Sequence, residues 1–138
     1  MKLKLGEEAY SICRVEQLST ELMAQEMVFV TKAEDKMTVV CRTDSVPEDR
    51  LWQEDGWRMF CLSGQLVYTL MGILGKIATI LGNNTIGVYA VSAADNIYFL
   101  VREKDLPKAQ QVLEEKGYFF FEASILGYFS PFVCHLYL

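Results

Sequence analysis

An α+β chain is predicted: two tandem βαββαβ units with antiparallel sheets and helices on one face. Three observations predict it. Residues 65–121 present extended and helical patterns in the order strand, helix, strand, strand, helix, strand. Residues 9–63 repeat that order in weaker form. Two polar turns, Glu34-Asp35 and Ala94-Asp95, fall about 60 residues apart, as duplication of one unit would place them. The order is that of the split βαβ, or ferredoxin-like, arrangement. The expected division is 1–63 and 64–122, joined at Gly64, with 123–138 as an apolar tail.

In the first unit, residues 9–15 alternate as a strand, and 16–26 form a poor helix whose apolar positions are Leu18, Leu22 and Met23. Strands over 27–31 and 37–42 flank a charged hairpin turn, Lys32-Ala33-Glu34-Asp35-Lys36. Ser45-Val46-Pro47-Glu48 has the pattern of a capping box and predicts a short helix through Leu51 and Trp52. Residues 58–63 close the unit as a strand.

In the second unit, 65–70 reads as a strand that ends at Met71-Gly72. From Gly72 to Gly82, Ile73, Leu74, Ile77, Ala78, Ile80 and Leu81 recur at helical spacing, and Gly82-Asn83-Asn84 supplies a stop. Strands over 86–92 and 97–101 enclose the turn Ala93-Ala94-Asp95-Asn96. Asp105 caps a helix that opens with Leu106-Pro107, where proline's fixed φ costs little. Leu106, Ala109, Val112 and Leu113 are its buried stripe, Gly117 its stop, and 118–121 the last strand.

The 138 residues, 51% hydrophobic and 12% aromatic, suffice for a packed core, so wholesale disorder is not expected. A net charge of −5 without a Lys/Arg run argues against nucleic-acid backbone binding. Tyr98-Phe99 could imitate a base-stacking platform, but no basic partners accompany it. Cys13, Cys41, Cys61 and Cys134 form no CxxC pair, which argues against zinc and against a redox pair. They read as buried, reduced thiols of a cytoplasmic protein. Residues 1–8 lack the apolar stretch of a signal peptide. Residues 118–138 carry one charge, Glu122, and are long enough to cross a bilayer. Glu122, Ser130, Pro131 and His135 interrupt them and no basic cluster flanks them, so a membrane anchor is disfavoured. The tail is expected to pack on the domain or on a second copy, because Phe129, Phe132, Val133, Leu136 and Tyr137 would otherwise expose a large apolar patch. A homo-oligomer follows.

Catalysis is not expected. His135 is the only histidine, and no HExxH, GxSxG, GxGxxG or GxxxxGK(S/T) pattern occurs. The carboxylate pairs fall on turns and helix faces. No metal or cofactor is implied. The corner Met71-Gly72-Ile73-Leu74 is a candidate for anion binding. A strand turning at glycine into a helix offers unpaired N–H groups and the positive end of the helix dipole. The alternative is a glycine that merely permits a tight turn. Ser92, Ala93, Asp95 and Asn96 form a second candidate, with a hydroxyl, a carboxylate and an amide for an ammonium group. The alternative there is an ordinary Asx-type turn.

Gly56-Trp57-Arg58, Leu70-Met71-Gly72-Ile73-Leu74, Gly87-Val88-Tyr89-Ala90-Val91-Ser92 and Tyr98-Phe99-Leu100-Val101 together resemble the small tandem ACT-domain proteins. The resemblance spans residues 1–121 and is strongest over 54–117. It implies ferredoxin-like units that bind an amino acid, with the ligand carboxylate near Gly72 to Leu74, in a non-catalytic regulatory protein. One departure stands out: the family pattern's threonine and aspartate fall at Ala93 and Ile97. If that aspartate holds the ligand's amino group, either the ligand differs here or the protein acts by association alone.

Overall fold

The computed structural model describes residues 1–63, 67–93 and 96–122. Ten regular elements are described: β1 (Lys2–Val15), α1 (Thr20–Met23), β2 (Phe29–Ala33), β3 (Lys36–Arg42), β4 (Trp52–Ser63), α2 (Val67–Asn83), β5 (Val88–Ser92), β6 (Asn96–Arg102), α3 (Leu106–Glu114) and β7 (Phe119–Glu122). Single 3-10 turns precede β4 at Thr43–Ser45 and α3 at Glu103–Asp105. The fold is α+β, with a mainly antiparallel sheet and few helices. It forms two compact units, Glu8–Trp57 and a larger one made of Met1–Glu7 with Arg58–Leu138. The units divide at 7/8 and 57/58; the expected joint, Gly64, lies outside the described residues. β1 and β4 each contribute to both units.

The smaller unit has the strand order β2-β3-β1-β4, which is the ferredoxin-like order. Its helices are reduced. α1 has four residues, capped by Ser19, whose side chain accepts from the Leu22 N–H at 3.1 Å. The capping-box helix after Ser45 does not form. Val46 precedes a proline, which disfavours the helical region, and it is extended at φ −63°, ψ 127°. The chain then enters β4 directly, with the Leu51 N–H bonded to the Arg14 carbonyl at 2.8 Å. Cys13, Val15, Val39 and Cys41 face one side of the sheet and pack with Leu22.

In the larger unit the order is β7-β1-β4-β6-β5. A plain ferredoxin-like unit would seat β7 directly on β4. Here residues 2–5 lie between them, parallel to β7, with Leu3 opposite Phe120 and Leu5 opposite Glu122. The strand starts well before the expected residue 9, because Leu3 and Leu5 supply a face to the helix-covered core, while Lys2 is exposed and Lys4 is buried between them.

The largest difference concerns 65–70. No strand forms there within the described residues: α2 begins at Val67. β4 already fills the strand position that the sequence reading assigned to these residues. α2 and α3 cover one face of the sheet. Leu3, Leu5, Phe60, Leu62, Ile97, Phe99 and Val101 meet Ile77 and Leu81 of α2 and Leu106, Ala109 and Leu113 of α3. Phe60 stacks on Phe99 at 5.2 Å and meets Phe120 edge-on at 5.1 Å. The opposite face is buried as well, at Met59, Cys61, Tyr98 and Leu100. Tyr98 and Phe99 are therefore both buried and offer no base-stacking platform. Gly117 ends α3 at φ 91° as expected, but the left-handed residue after α2 is Thr85, not one of Gly82, Asn83 or Asn84. No described helix is long and apolar enough to cross a membrane. The expectations for residues 123–138 lie outside the described residues.

Candidate functional site

α2 is a single helix between two strands of one sheet, so it returns the chain and leaves β5 running parallel to β4. β6 runs antiparallel to β5. The end of β4, the first turn of α2, the end of β5 and the start of β6 therefore lie at one end of the sheet. Ser92, Ala93 and Asn96 sit there, with the Ala93 N–H bonded to the Asn96 carbonyl at 2.8 Å. Ser92 and Ala93 are exposed, and Asn96 is buried. Asp95 lies outside the described residues.

The other four candidates are placed differently from the sequence reading. Met71, Gly72, Ile73 and Leu74 belong to the body of α2. Among the described residues, the unpaired N–H groups of that helix are those of residues 67–69. Gly72 lies about 7.5 Å along the axis from Val67, at 1.5 Å of rise per residue. Its N–H and those of Ile73 and Leu74 are used inside the helix. Ile73 and Leu74 pack against the core. Gly72 faces outward, and a Cβ built on it would meet nothing within 4 Å. It lines a shallow, open groove of about 630 Å³ together with Gly75, Lys76, Thr79, Lys116 and Tyr118. The lysines give that groove a positive rim. Spacing would have shown the stripe, since 72, 75, 79 and 82 share one helix face.

Ile97, the position where the resemblance expects an aspartate, is 2% exposed and faces the helices within the core. Its side chain packs in that core.

The smaller unit holds a polar cluster that the sequence reading missed. Ser11 is fully buried, lies 2.8 Å from the Thr43 hydroxyl, and donates to Asp55 Oδ1 at 2.5 Å. Gln53 Nε2 donates to the same oxygen at 2.6 Å. These bonds, the Ser11 hydroxyl first, hold the Asp55 carboxyl below the usual carboxylate range. A serine flanked by Tyr10, Ile12 and Cys13 in an apolar strand was the available signal. The hydroxyl is spent on a carboxylate and a threonine, and no described histidine could activate it. Beside this cluster, on β1 and β3, the Cys13 and Cys41 thiols hydrogen-bond to each other, which lowers Cys13 and raises Cys41. Cys13, Cys41 and Cys61 are free and buried. Among the described residues, no group of three or more His, Cys, Asp or Glu converges as a metal site.

Residues 53–115 match the family model of the ACT domain. A crystal structure of a protein from Agobacterium tumefaciens is similar to the chain, with 29% identity, a TM-score of 0.78, and coverage of 88% of this chain and 92% of that one. A Vibrio cholerae protein described as of unknown function and a possible transport protein follows at 17% identity and TM-score 0.64, covering 83% and 88%. A putative C-terminal regulatory domain of aspartate kinase from Porphyromonas gingivalis shares the fold at 16% identity and TM-score 0.52, covering 83% and 93%. No curated protein matches the chain.

Proposed function

We propose that this chain is a non-catalytic regulatory module of ACT type that binds a small molecule, an amino acid being the favoured class. The observation that carries the reading is the ACT-domain match over residues 53–115, which spans β4, α2, β5, β6 and α3. The likeness in fold to an aspartate kinase regulatory domain supports it. The smaller unit, with its ferredoxin-like strand order and shortened helices, is read as a second, reduced ACT-type unit. The ligand site is assigned to the sheet end that carries Ser92, Ala93 and Asn96 beside the opening of α2, with Asp95 kept as a candidate from the sequence. Met71, Gly72, Ile73 and Leu74 follow in the helix body and enter only as its continuation. The ligand carboxylate would be held by N–H groups of the first turn of α2, where the helix dipole favours an anion.

A thermal-shift panel of amino acids at millimolar concentration tests this, because a ligand that binds only the folded state raises the melting temperature. A reproducible rise for one amino acid, confirmed by calorimetry, supports the reading. No rise for any of them favours a second one, an association module whose ligand site is lost. The specific observation behind that second reading is Ile97, whose side chain is sealed in the core.

A further inference from the structure

The second face of the larger unit's sheet, away from α2 and α3, is closed at its centre. Leu3 and Leu5 of β1, Phe60 and Leu62 of β4, and Ile97, Phe99 and Val101 of β6 point at the helices. Successive side chains alternate across a sheet, so Lys4, Met59, Cys61, Asn96, Tyr98 and Leu100 point the other way. None of these six is more than 9% exposed. Burial thins toward both edges. On the same face, Tyr89 and Val91 of β5 are half-buried, and Phe119 of β7 is 57% exposed. A cover therefore lies over β1, β4 and β6. No described helix supplies it: α2 and α3 are on the other face, and α1 packs with Cys13, Val15, Val39 and Cys41 in the smaller unit.

The sequence offers one segment of suitable chemistry. Residues 123–138 contain no Asp, Glu, Lys or Arg, and they hold Ile125, Leu126, Phe129, Phe132, Val133 and Leu136. They follow β7, which pairs with β1, the first of the covered strands. Reaching β6 from β7 takes three interstrand steps, about 15 Å. Residues 123–138 span about 24 Å even when wound as a helix, and more when extended. Residues 64–66 and 94–95, the others outside the described set, are too short for the task.

We infer that residues 123–138 dock on the face opposite the helices and cover Met59, Cys61, Tyr98 and Leu100 of their own chain. An uncharged segment enters such a face without desolvating a charge. Its attachment favours it over a second copy: a segment tethered one strand away meets the face at an effective concentration of order millimolar. The larger unit then has three layers, helices, sheet and tail. A ligand or a partner reaches its sheet only at the ends and the edges, and this face stays closed at any protein concentration.

The test uses the full chain and maleimide labelling under native conditions. Cys61 reports on the face, and Cys13 and Cys41, buried in the smaller unit, are the controls. In the unchanged protein Cys61 is expected to be protected equally in dilute and in concentrated solution. In the double variant Phe129→Asp, Phe132→Asp, Cys61 should label roughly tenfold faster or more, with Cys13 and Cys41 unchanged. Should that variant unfold, all three label alike, and a photoreactive benzophenone analogue in place of Phe132 decides in the folded chain. It is expected to crosslink to β4 or β6 of the same chain. Fast labelling of Cys61 in the unchanged protein overturns the inference, and so does protection that disappears on dilution, as a covering second copy would give. An unchanged Cys61 rate in the folded double variant, or no crosslink to those two strands, overturns it as well.

Discussion

Thr85 follows α2 in the left-handed region, at φ 60°. A β-branched residue there is strained by about 1–2 kcal/mol, whereas glycine is not. Glycine adds roughly 0.5–1 kcal/mol of unfolded-state freedom, so Thr85→Gly should stabilise by about 0.5–1 kcal/mol. Urea unfolding midpoints check this, and a loss of stability would mean the threonine side chain compensates for the strain. Asp55 supplies a pH dependence. Its folded pKa lies below the unfolded value, so its contribution is complete above the unfolded value near 4 and fades as pH falls through the folded one. The stability difference between the parent and Asp55→Asn should be flat from pH 7 to about 5 and shrink in more acid solution. A difference that grows toward acid would contradict the assigned hydrogen bonds. At this scale the sequence was a partial guide. Gly117 was legible because only glycine sits easily at φ 91°. Thr85 was not, because Gly82-Asn83-Asn84 offered three better candidates for the same conformation.

Among the elements, α3 was legible in its bounds: Pro107 opens it and Leu106, Ala109 and Leu113 are its buried stripe, with Val112 partly buried. The expected Asp105 cap makes no side-chain bond, because Asp105 is itself in the helical region after a 3-10 turn. α2 was misplaced at its start. Val67, Tyr68, Thr69 and Leu70 have strand propensity, and tertiary context overrode it once β4 had filled the strand position. With that boundary, Met71, Gly72, Ile73 and Leu74 fall in the body of the helix and not at the strand-to-helix corner expected for them. The strand at residues 2–5 was missed although Leu3 and Leu5 alternate with lysines, since four residues carry too short a pattern to stand alone. Its energetic weight is considerable. Leu3 is fully buried against Phe60 and the helices' core, so Leu3→Ala should cost about 2–5 kcal/mol. Leu18→Ala, at a 38% exposed position, should stay within about 0.5 kcal/mol. Chemical denaturation of both variants distinguishes a structural strand from a loosely attached one; equal effects would mean that residues 2–5 contribute little.

For the whole molecule, the α+β class and the ferredoxin-like strand order were readable from periodicity, as in β2-β3-β1-β4 of the smaller unit. The interleaving of the units was not, because no local pattern announces that a strand changes partners at residue 7. The seating of residues 2–5 between β4 and β7 also sets a schedule for the ribosome. The smaller unit, Glu8–Trp57, is contiguous and can close once its own residues have emerged. The strand ahead of it cannot, because its parallel partner is Phe119–Glu122, 117 positions later in register. At about 5–20 residues per second, Leu3 and Leu5 wait roughly 6–23 seconds, uncovered, for the neighbour that completes their side of the sheet. Their flanking Lys2 and Lys4 keep that waiting segment charged, a built-in deterrent to pairing with other nascent chains in the interval.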